Sequence, residues 1–434
     1  MRVTMIGAGY VGLVSGACFA EFGANVVIVD KNSGRVNDLK KGLIPIYEKG
    51  LDDLVAKNVN NGRLEFQTKL SNNINGTDIF FIAVGTPSRR GDGHADLKYV
   101  YQVAKEIGEN LNEYALIVNK STVPVGTARK VKKIIADIKP DLTFDVASNP
   151  EFLREGSAIE DFTNPARIII GVENQRSEDI LRDIYKPLEK VKTPILSTNL
   201  ESAELIKYAS NAFLATKISF INEISHLSEV VGGDISAISQ GMGLDERIGE
   251  KFLKAGPGYG GSCFPKDTLA LNRIAQDHGV SSKIVQAVIE VNSNQKARMV
   301  KKITKALGGS LKNKRIAVLG LTFKPETDDM RDAPSLSIIP ELSKKGAEII
   351  AHDPAGIQEA KKFLPKDIVY VEEIDKGIKD ADAVVLITEW DHYNKINMEE
   401  IIKLMKGNIF IDLRNFYDPE LMKQIGFEYY SIGR

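Results

Sequence analysis

The stretch Val3-Thr4-Met5-Ile6-Gly7-Ala8-Gly9-Tyr10-Val11-Gly12-Leu13-Val14 decides the fold. An apolar run of strand type ends on glycine, and an apolar helical pattern opens just beyond it. Between them stands a G-x-G-x-x-G, a motif that carries information only in this strand-to-helix setting. Gly7 permits the tight turn, Gly9 lets a pyrophosphate approach the backbone, and Gly12 lets helix and strand pack closely. The helix N-terminus offers free N–H groups and a positive dipole end to the phosphates. Tyr10 and Val11 lie on the same turn and join the glycines as expected cofactor neighbours.

Working outward, the next strand runs from Asn25 to Asp30, eighteen residues after Gly12. The Asp30 carboxylate is placed to accept from ribose hydroxyls and would repel a 2′-phosphate, so NAD is expected over NADP. Arg35, one turn into the following helix, could cover the adenine or its ribose. FAD and a chance glycine turn are the other readings of this stretch. Further strands are expected at Asp78 to Val84, Ala115 to Asn119, Phe144 to Ser148 and Arg167 to Val172, with amphipathic stretches between most of them. Such alternation implies a parallel sheet covered by helices. Ala83 to Pro87 and Lys120 to Pro124 each follow a strand, where ligands bind in these sheets. Thr86 and Thr122 are therefore cofactor or substrate neighbours, or else members of capped turns.

After Asn199 the period changes. Leu205, Ala209, Ala212, Phe213, Thr216, Phe220, Ile224 and Leu227 recur at three and four, and no Gly or Pro intervenes before Gly232. This predicts one helix of about 30 residues, long enough to bridge domains. A second helical stretch covers about Lys283 to Ala306. Strand and helix then alternate again, with strands at Arg315 to Leu321, Glu348 to His352, Ile368 to Val371, Ala383 to Thr388 and Ile409 to Leu413. The expected fold is α/β, with two doubly wound, Rossmann-like domains joined by a long central helical segment. The expected boundaries are 1–197, 198–308 and 309–434.

Composition bounds the function. The 434 residues are 43% hydrophobic and 26% charged, which suits a soluble globular chain of two or three domains. With 57 Lys and Arg against 58 Asp and Glu, the net charge of −1 gives no global field for nucleic acid. No apolar run approaches the ~20 residues that span a bilayer, so no membrane role is expected. The apolar N-terminus is not read as a secretory signal, because Glu21 interrupts it and no small-residue cleavage site follows. Two cysteines, Cys18 and Cys263, suit a reducing compartment, and the cytoplasm is expected. The five histidines show no metal-ligand spacing, so no metal is expected.

Gly256-Pro257-Gly258-Tyr259-Gly260-Gly261-Ser262-Cys263-Phe264-Pro265-Lys266-Asp267 is the most unusual segment. Its glycines and prolines fix a special backbone that ends in a cysteine at a helix start. The helix N-terminus and Lys266 would both favour a thiolate at Cys263. The alternative is a packing cysteine beside a turn. Cys18, among small residues in Ser15-Gly16-Ala17-Cys18, reads as packing. Lys207 and Asn211 are four apart and share one face of the long helix. They could hold a substrate oxygen, or they could form a solvated edge.

Gly7 to Gly12, Ser148-Asn149-Pro150-Glu151-Phe152-Leu153-Arg154-Glu155-Gly156, Glu204 to Asn211, Gly256 to Asp267, and Phe323-Lys324-Pro325 with Asp328-Asp329-Met330-Arg331 occur in one order. Together they resemble the UDP-glucose 6-dehydrogenases of the UDP-glucose/GDP-mannose dehydrogenase family, nearly end to end. Relatives acting on UDP-N-acetylmannosamine usually carry His before the cysteine and lack the Phe-Pro-Lys after it. Here Ser262 and Phe264-Pro265-Lys266 favour UDP-glucose over UDP-N-acetylhexosamines or GDP-mannose. The resemblance implies Cys263 as nucleophile, with Lys207, Asn211 and Asp267 acting around the sugar C6 oxygen. Thr122 and Glu151 would position a water. Glu155, Lys266 and Arg331 would touch NAD. The UDP-sugar would be held by Glu151, Phe152, Leu153, Arg154 and Glu155, by Phe252, Leu253, Lys254, Ala255 and Gly256, and by Gly260, Phe323, Lys324 and Arg414. Arg247 would reach the sugar nucleotide of a partner subunit, in a homodimer or larger homo-oligomer.

The implied reaction is a two-step oxidation of a primary alcohol to an acid, through an aldehyde, a thiohemiacetal and a thioester on Cys263. A single-step dehydrogenase of the 3-hydroxyacid or 6-phosphogluconate type would also use a Lys and an Asn on one helix. It has no use for a cysteine loop or for a second α/β domain. A non-enzymatic NAD-binding regulator would need the cysteine loop to be structural.

Overall fold

A computed structural model describes residues 1–70, 75–89 and 93–434. The chain forms two compact units, Met1–Ser210 and Asn211–Arg434. In the first unit the strands are β1 (Arg2–Ile6), β2 (Asn25–Val29), β3 (Leu64–Gln67), β4 (Ile79–Ile82), β5 (Leu116–Asn119), β6 (Asp145–Ser148), β7 (Ile168–Gly171) and β8 (Ile195–Thr198). They lie in the order β3-β2-β1-β4-β5-β6-β7-β8. Neighbours run parallel except β6 and β7, which meet antiparallel at Ser148 and Gly171. Helices cover both faces, so the central strands are apolar throughout. Met5, Ile28, Phe81 and Val118 pack with Phe19 on one face, while Ile6, Phe80, Ile82 and Ile117 pack with Val131 on the other. The strand order reverses between β1 and β4, and the crevice at that point is where such sheets bind ligands.

Strands β3 and β8 are additions to the sequence reading. Both are edge strands of four residues, and β8 is half-exposed along its length. Edge strands bury too little to show an apolar run.

In the second unit β9 (Arg315–Leu319), β10 (Glu348–His352), β11 (Val369–Tyr370), β12 (Ala383–Leu386), β13 (Ile409–Asp412) and β14 (Glu428–Tyr430) form a sheet ordered β11-β10-β9-β12-β13-β14. All its pairings are parallel, and the order repeats that of the first six strands of the chain. The edge strand β14 escaped the sequence reading for the same reason as β3. Helices Phe264–Asp277 and Lys283–Ala306 precede this sheet. The long helix is continuous over Leu200–Val231, 32 residues, and Ser210 and Asn211 are successive residues of it.

Candidate active site

In the first unit the glycine turn has the geometry its residues require. The Gly7 N–H donates to Val29 O at 2.8 Å, and its φ is +109°. A Cβ on Gly7 would lie 2.5 Å from Ala83 O, and one on Gly12 would strike Gly7 O. Nothing lies within 4 Å of the corresponding point on Gly9. Packing therefore explains the first and third glycines, whereas the space before Gly9 is open. A cleft of about 700 Å³ opens there, lined by Gly7, Gly9, Asp30, Arg35, Val84 and Gly85 among others. Asp30 Oδ2 accepts from Ala8 N at 2.8 Å and pairs with Arg35 Nη1 at 3.2 Å. These two groups on the wall of the cleft thus hold each other. The loops after β4 and β5 are laced together, since Thr86 Oγ1 donates to Thr122 O at 2.9 Å and Ser121 Oγ donates to Val84 O at 2.7 Å.

Val11 packs partly buried against the core. Tyr10 has a task not expected of it. Its hydroxyl bonds the buried Glu48 carboxylate and accepts from Gly156 N at 2.7 Å. Glu48 also accepts from Gly156 N and Ala158 N, each at 2.8 Å. The glycine turn is thereby tied to the end of the Ser148–Gly156 segment. Within that segment Glu151 is buried; its Oε2 accepts from Leu153 N at 2.6 Å and its Oε1 lies 3.5 Å from Lys207 Nζ. Lys207, also buried, has its ammonium 5.1 Å from the centre of the Phe152 ring, on which Arg167 stacks at 3.9 Å. Arg154 is exposed and bonds Asp161 at 2.6 Å, and Glu155 is half-buried.

Three further buried ionisable groups of the first unit were not singled out by the sequence reading: Glu48, Lys120 and Glu204. Glu204 caps the Thr127–Ile138 helix, accepting from Gly126 N at 2.7 Å and Ala128 N at 2.8 Å. Loss of solvation is the largest influence on it and pushes its carboxyl up to about 7, against the pull of those amides. A lysine closing an apolar strand was the available signal for Lys120. Glu204 entered only as the first residue of the Glu204 to Asn211 stretch, and nothing local to Glu48, which follows Leu43-Ile44-Pro45-Ile46-Tyr47, shows what its carboxylate meets.

In the second unit Cys263 caps the Phe264–Asp277 helix and is half-buried, with Ser262 Oγ 3.4 Å from its Sγ. Lys266 pairs with the neighbouring carboxylate of Asp267, so part of the positive charge expected near the thiol is engaged by that group. Asp267 is fully buried and accepts from Asn211 Nδ2 at 2.6 Å. The loop is fixed by its glycines. A Cβ on Gly260 would strike Asp332 O, and one on Gly261 would lie 2.7 Å from the Phe323 ring. Gly256 donates to Asn222 Oδ1 at 2.8 Å and accepts from Gln295 Nε2 at 2.7 Å. Arg414 donates to Ile387 O at 2.7 Å and Phe323 O at 3.2 Å, and its Nη1 lies 3.3 Å from the Cβ point of Gly256. Gly256, Gly261, Phe323 and Arg414 thus lie together, with Gly260 next to them in the loop.

Other expected residues stand differently. Leu253 and Ala255 are buried in the core of this unit, so only their backbone can face a ligand. Lys254 is exposed, and Phe252, with a left-handed φ of +66°, has its ring centre 6.0 Å from that of Phe264. Arg331 bonds Asp329 through two contacts of 2.8 Å, while Lys324 Nζ lies 5.6 Å from the Phe323 ring. Arg247, with 88% of its side chain exposed, pairs with Asp245. Cys18 is buried in the first unit, and desolvation pushes its thiol up to about 12, which leaves it inert. Among the described residues no three His, Cys, Asp or Glu side chains gather to hold a metal. No described helix is long and apolar enough to cross a membrane.

Three family models match the chain in order: the NAD binding domain of the UDP-glucose/GDP-mannose dehydrogenase family at residues 1–189, its central domain at 201–294 and its UDP binding domain at 317–419. The chain belongs to this family of NAD-dependent oxidoreductases. It is 51% identical to a UDP-glucose 6-dehydrogenase of Rhizobium meliloti, over 100% of both chains. It is 49% identical to a UDP-glucose 6-dehydrogenase of Bacillus subtilis, over 100% of this chain and 93% of that one. Among solved structures, a UDP-glucose dehydrogenase from Pyrobaculum islandicum superposes with a TM-score of 0.92 at 38% identity, covering 99% of this chain and 96% of that one.

Proposed function

We propose that this protein is a UDP-glucose 6-dehydrogenase that oxidises UDP-glucose to UDP-glucuronate with two NAD per product. The observation that carries the reading is the loop that presents Cys263 at a helix N-terminus, packed on Phe323 in the unit whose sheet matches a UDP binding domain. NAD, when bound, accepts one hydride in each oxidation. The open space before Gly9 and the carboxylate of Asp30 fit its pyrophosphate and adenosine ribose.

The first oxidation leaves an aldehyde at C6. The Cys263 thiolate adds to it, forming a C–S bond, and the oxygen takes a proton to give a thiohemiacetal. Removal of the second hydride from that carbon, with loss of the hydroxyl proton, gives a thioester. Water then attacks the carbonyl, the C–S bond breaks, and the thiolate leaves. Lys207 and Asn211 stabilise the oxyanions, and Asp267 takes a proton from the alcohol or water. Thr122 and Glu151 position that water. Glu155, Lys266 and Arg331 contact the cofactor. Glu151 to Glu155, Phe252 to Gly256, Gly260, Phe323, Lys324 and Arg414 hold the UDP-sugar.

The long helix exposes Phe213, Phe220 and Leu227 at seven-residue intervals, which supports a homodimer or larger homo-oligomer. The exposure of the Arg247 side chain, which pairs only with its neighbour Asp245 among the ion pairs of the described residues, supports its reaching a partner's sugar nucleotide. We further propose a cytoplasmic enzyme whose functional parts divide near residues 197 and 308.

The test is NADH formation from NAD with UDP-glucose, alongside UDP-N-acetylglucosamine, UDP-N-acetylmannosamine and GDP-mannose. UDP-glucose is expected to be preferred, with two NADH per acid. Cys263→Ala is expected to lose acid formation by orders of magnitude while still binding both ligands. A Cys263→Ala enzyme that makes two NADH per acid at near the parent rate overturns the covalent route, and preference for another sugar nucleotide overturns the substrate.

A further inference from the structure

Lys120 follows β5, whose residues Leu116-Ile117-Val118-Asn119 are all buried, and it is itself 3% exposed. A buried ammonium is tolerated only with partners. Its Nζ donates to Asn149 Oδ1 and to Tyr185 Oη, each at 3.0 Å. The Tyr185 hydroxyl donates to the same Asn149 Oδ1 at 2.6 Å, and Asn149 Nδ2 donates to Ile169 O at 2.8 Å. One network thus joins the end of β5, strand β7, the Gln175–Tyr185 helix and the residue two before Glu151. Beside it lies a cavity of about 40 Å³, which is room for a water.

We propose that Lys120 is a positioning residue: its ammonium pins Asn149, fixing the Asn149-Pro150-Glu151 turn so that the Glu151 carboxylate is held against Lys207. This rests on the reading of Glu151 and Lys207 as site residues given above. The charged and titratable groups around Lys120 are Glu151, which favours its charge, Lys207, which opposes it, and the Tyr185 hydroxyl. Asp161, which is paired with Arg154, and Arg167 line the same cavity. Burial outweighs the attraction of Glu151 and pushes Lys120 down to about 8. The pin therefore changes from a charge-assisted bond to a weaker neutral one as pH rises through about 8, and kcat falls with it.

The experiment compares the full-length protein with Lys120→Met and Tyr185→Phe. For Lys120→Met, kcat with UDP-glucose is expected to fall about tenfold to a hundredfold, the scale of a small misplacement of a reacting group. The KM for NAD should stay within about threefold, since the Asp30 cleft is built from other residues. The alkaline limb near pH 8 should vanish. In Tyr185→Phe, which removes one partner of the ammonium, that limb should move to lower pH. A parent-like kcat in Lys120→Met, or a limb that neither variant moves, overturns the proposal. Amide hydrogen exchange between Asn149 and Leu153 is followed on the same samples. Faster exchange there in Lys120→Met, with the rest of the first unit unchanged, supports the pin, and unchanged exchange overturns it. Failure of the parent to oxidise UDP-glucose sinks the substrate reading alone, and the exchange result then decides the pin.

Discussion

Replacing Glu48 by Ala should unfold the first unit more readily than any surface change. Its carboxylate accepts from the Tyr10 hydroxyl, Gly156 N and Ala158 N, and it is 9% exposed. Hydrogen bonds to a charged group contribute about 1.5–3 kcal/mol each. Three such bonds would give roughly 4–9 kcal/mol, but the Gly156 N–H keeps the Tyr10 hydroxyl as acceptor, and water entering the vacated space satisfies part of the rest. The expected loss is about 3–6 kcal/mol. For a unit of this size each kcal/mol moves Tm by about 2–4 °C, so the first-unit transition should fall by roughly 6–24 °C. Tyr10→Phe removes one donor to Glu48 and one of the two acceptors of the Gly156 N–H, which keeps Glu48, and should cost about 1 kcal/mol. Differential scanning calorimetry with and without NAD separates the two variants. A Glu48→Ala protein within about 2 °C of the parent, or a Tyr10→Phe protein equally destabilised, would show that the clamp on Gly156 does not hold this unit together.

Glu204 sets a pH dependence. Its folded value of about 7 lies above the ordinary 4.5, so the folded state binds the extra proton, and the stabilisation is fully present below about 4.5 and is lost as pH rises through about 7. Glu204→Gln lacks this change. Urea unfolding of the first unit should therefore shift in the variant's favour by as much as about 3 kcal/mol between pH 5 and 8, and parallel curves would refute the assignment. Asp30→Ala should weaken NAD about tenfold or more and also improve NADP, because Arg35 is released from its pair into the same cleft. Equal KM values for the two cofactors in the parent would refute the role of Asp30. Gly260→Ala sets a Cβ against Asp332 O and should abolish UDP-glucose binding by calorimetry while NAD binding in the first unit survives; retained affinity for both would show that the loop is not a fixed support.

The parts that the sequence determined by itself are those whose physics is local. Gly7, Gly9, Gly12 and Asp30 are read from one strand, one turn and the next strand, because a tight turn and a close phosphate approach leave glycine little competition. The long helix and the cysteine loop were legible because period and glycine spacing are properties of consecutive residues. Tertiary structure decided what depends on distant partners. Edge strands β3, β8 and β14 exist because a neighbour offers them a ladder, and their own residues are too few and too exposed to announce it. Glu48 meets Gly156 across 108 residues, and Glu204 meets Gly126 across 78. By its spacing alone Lys207 reads more readily as a solvated edge, until burial sets it against Glu151, and Lys266 turns to Asp267 because an ammonium beside a buried carboxylate pairs with it. A side chain's type limits the bonds it can make, but which of them forms is set by what the fold brings within about 3 Å of it in a medium poorer in water.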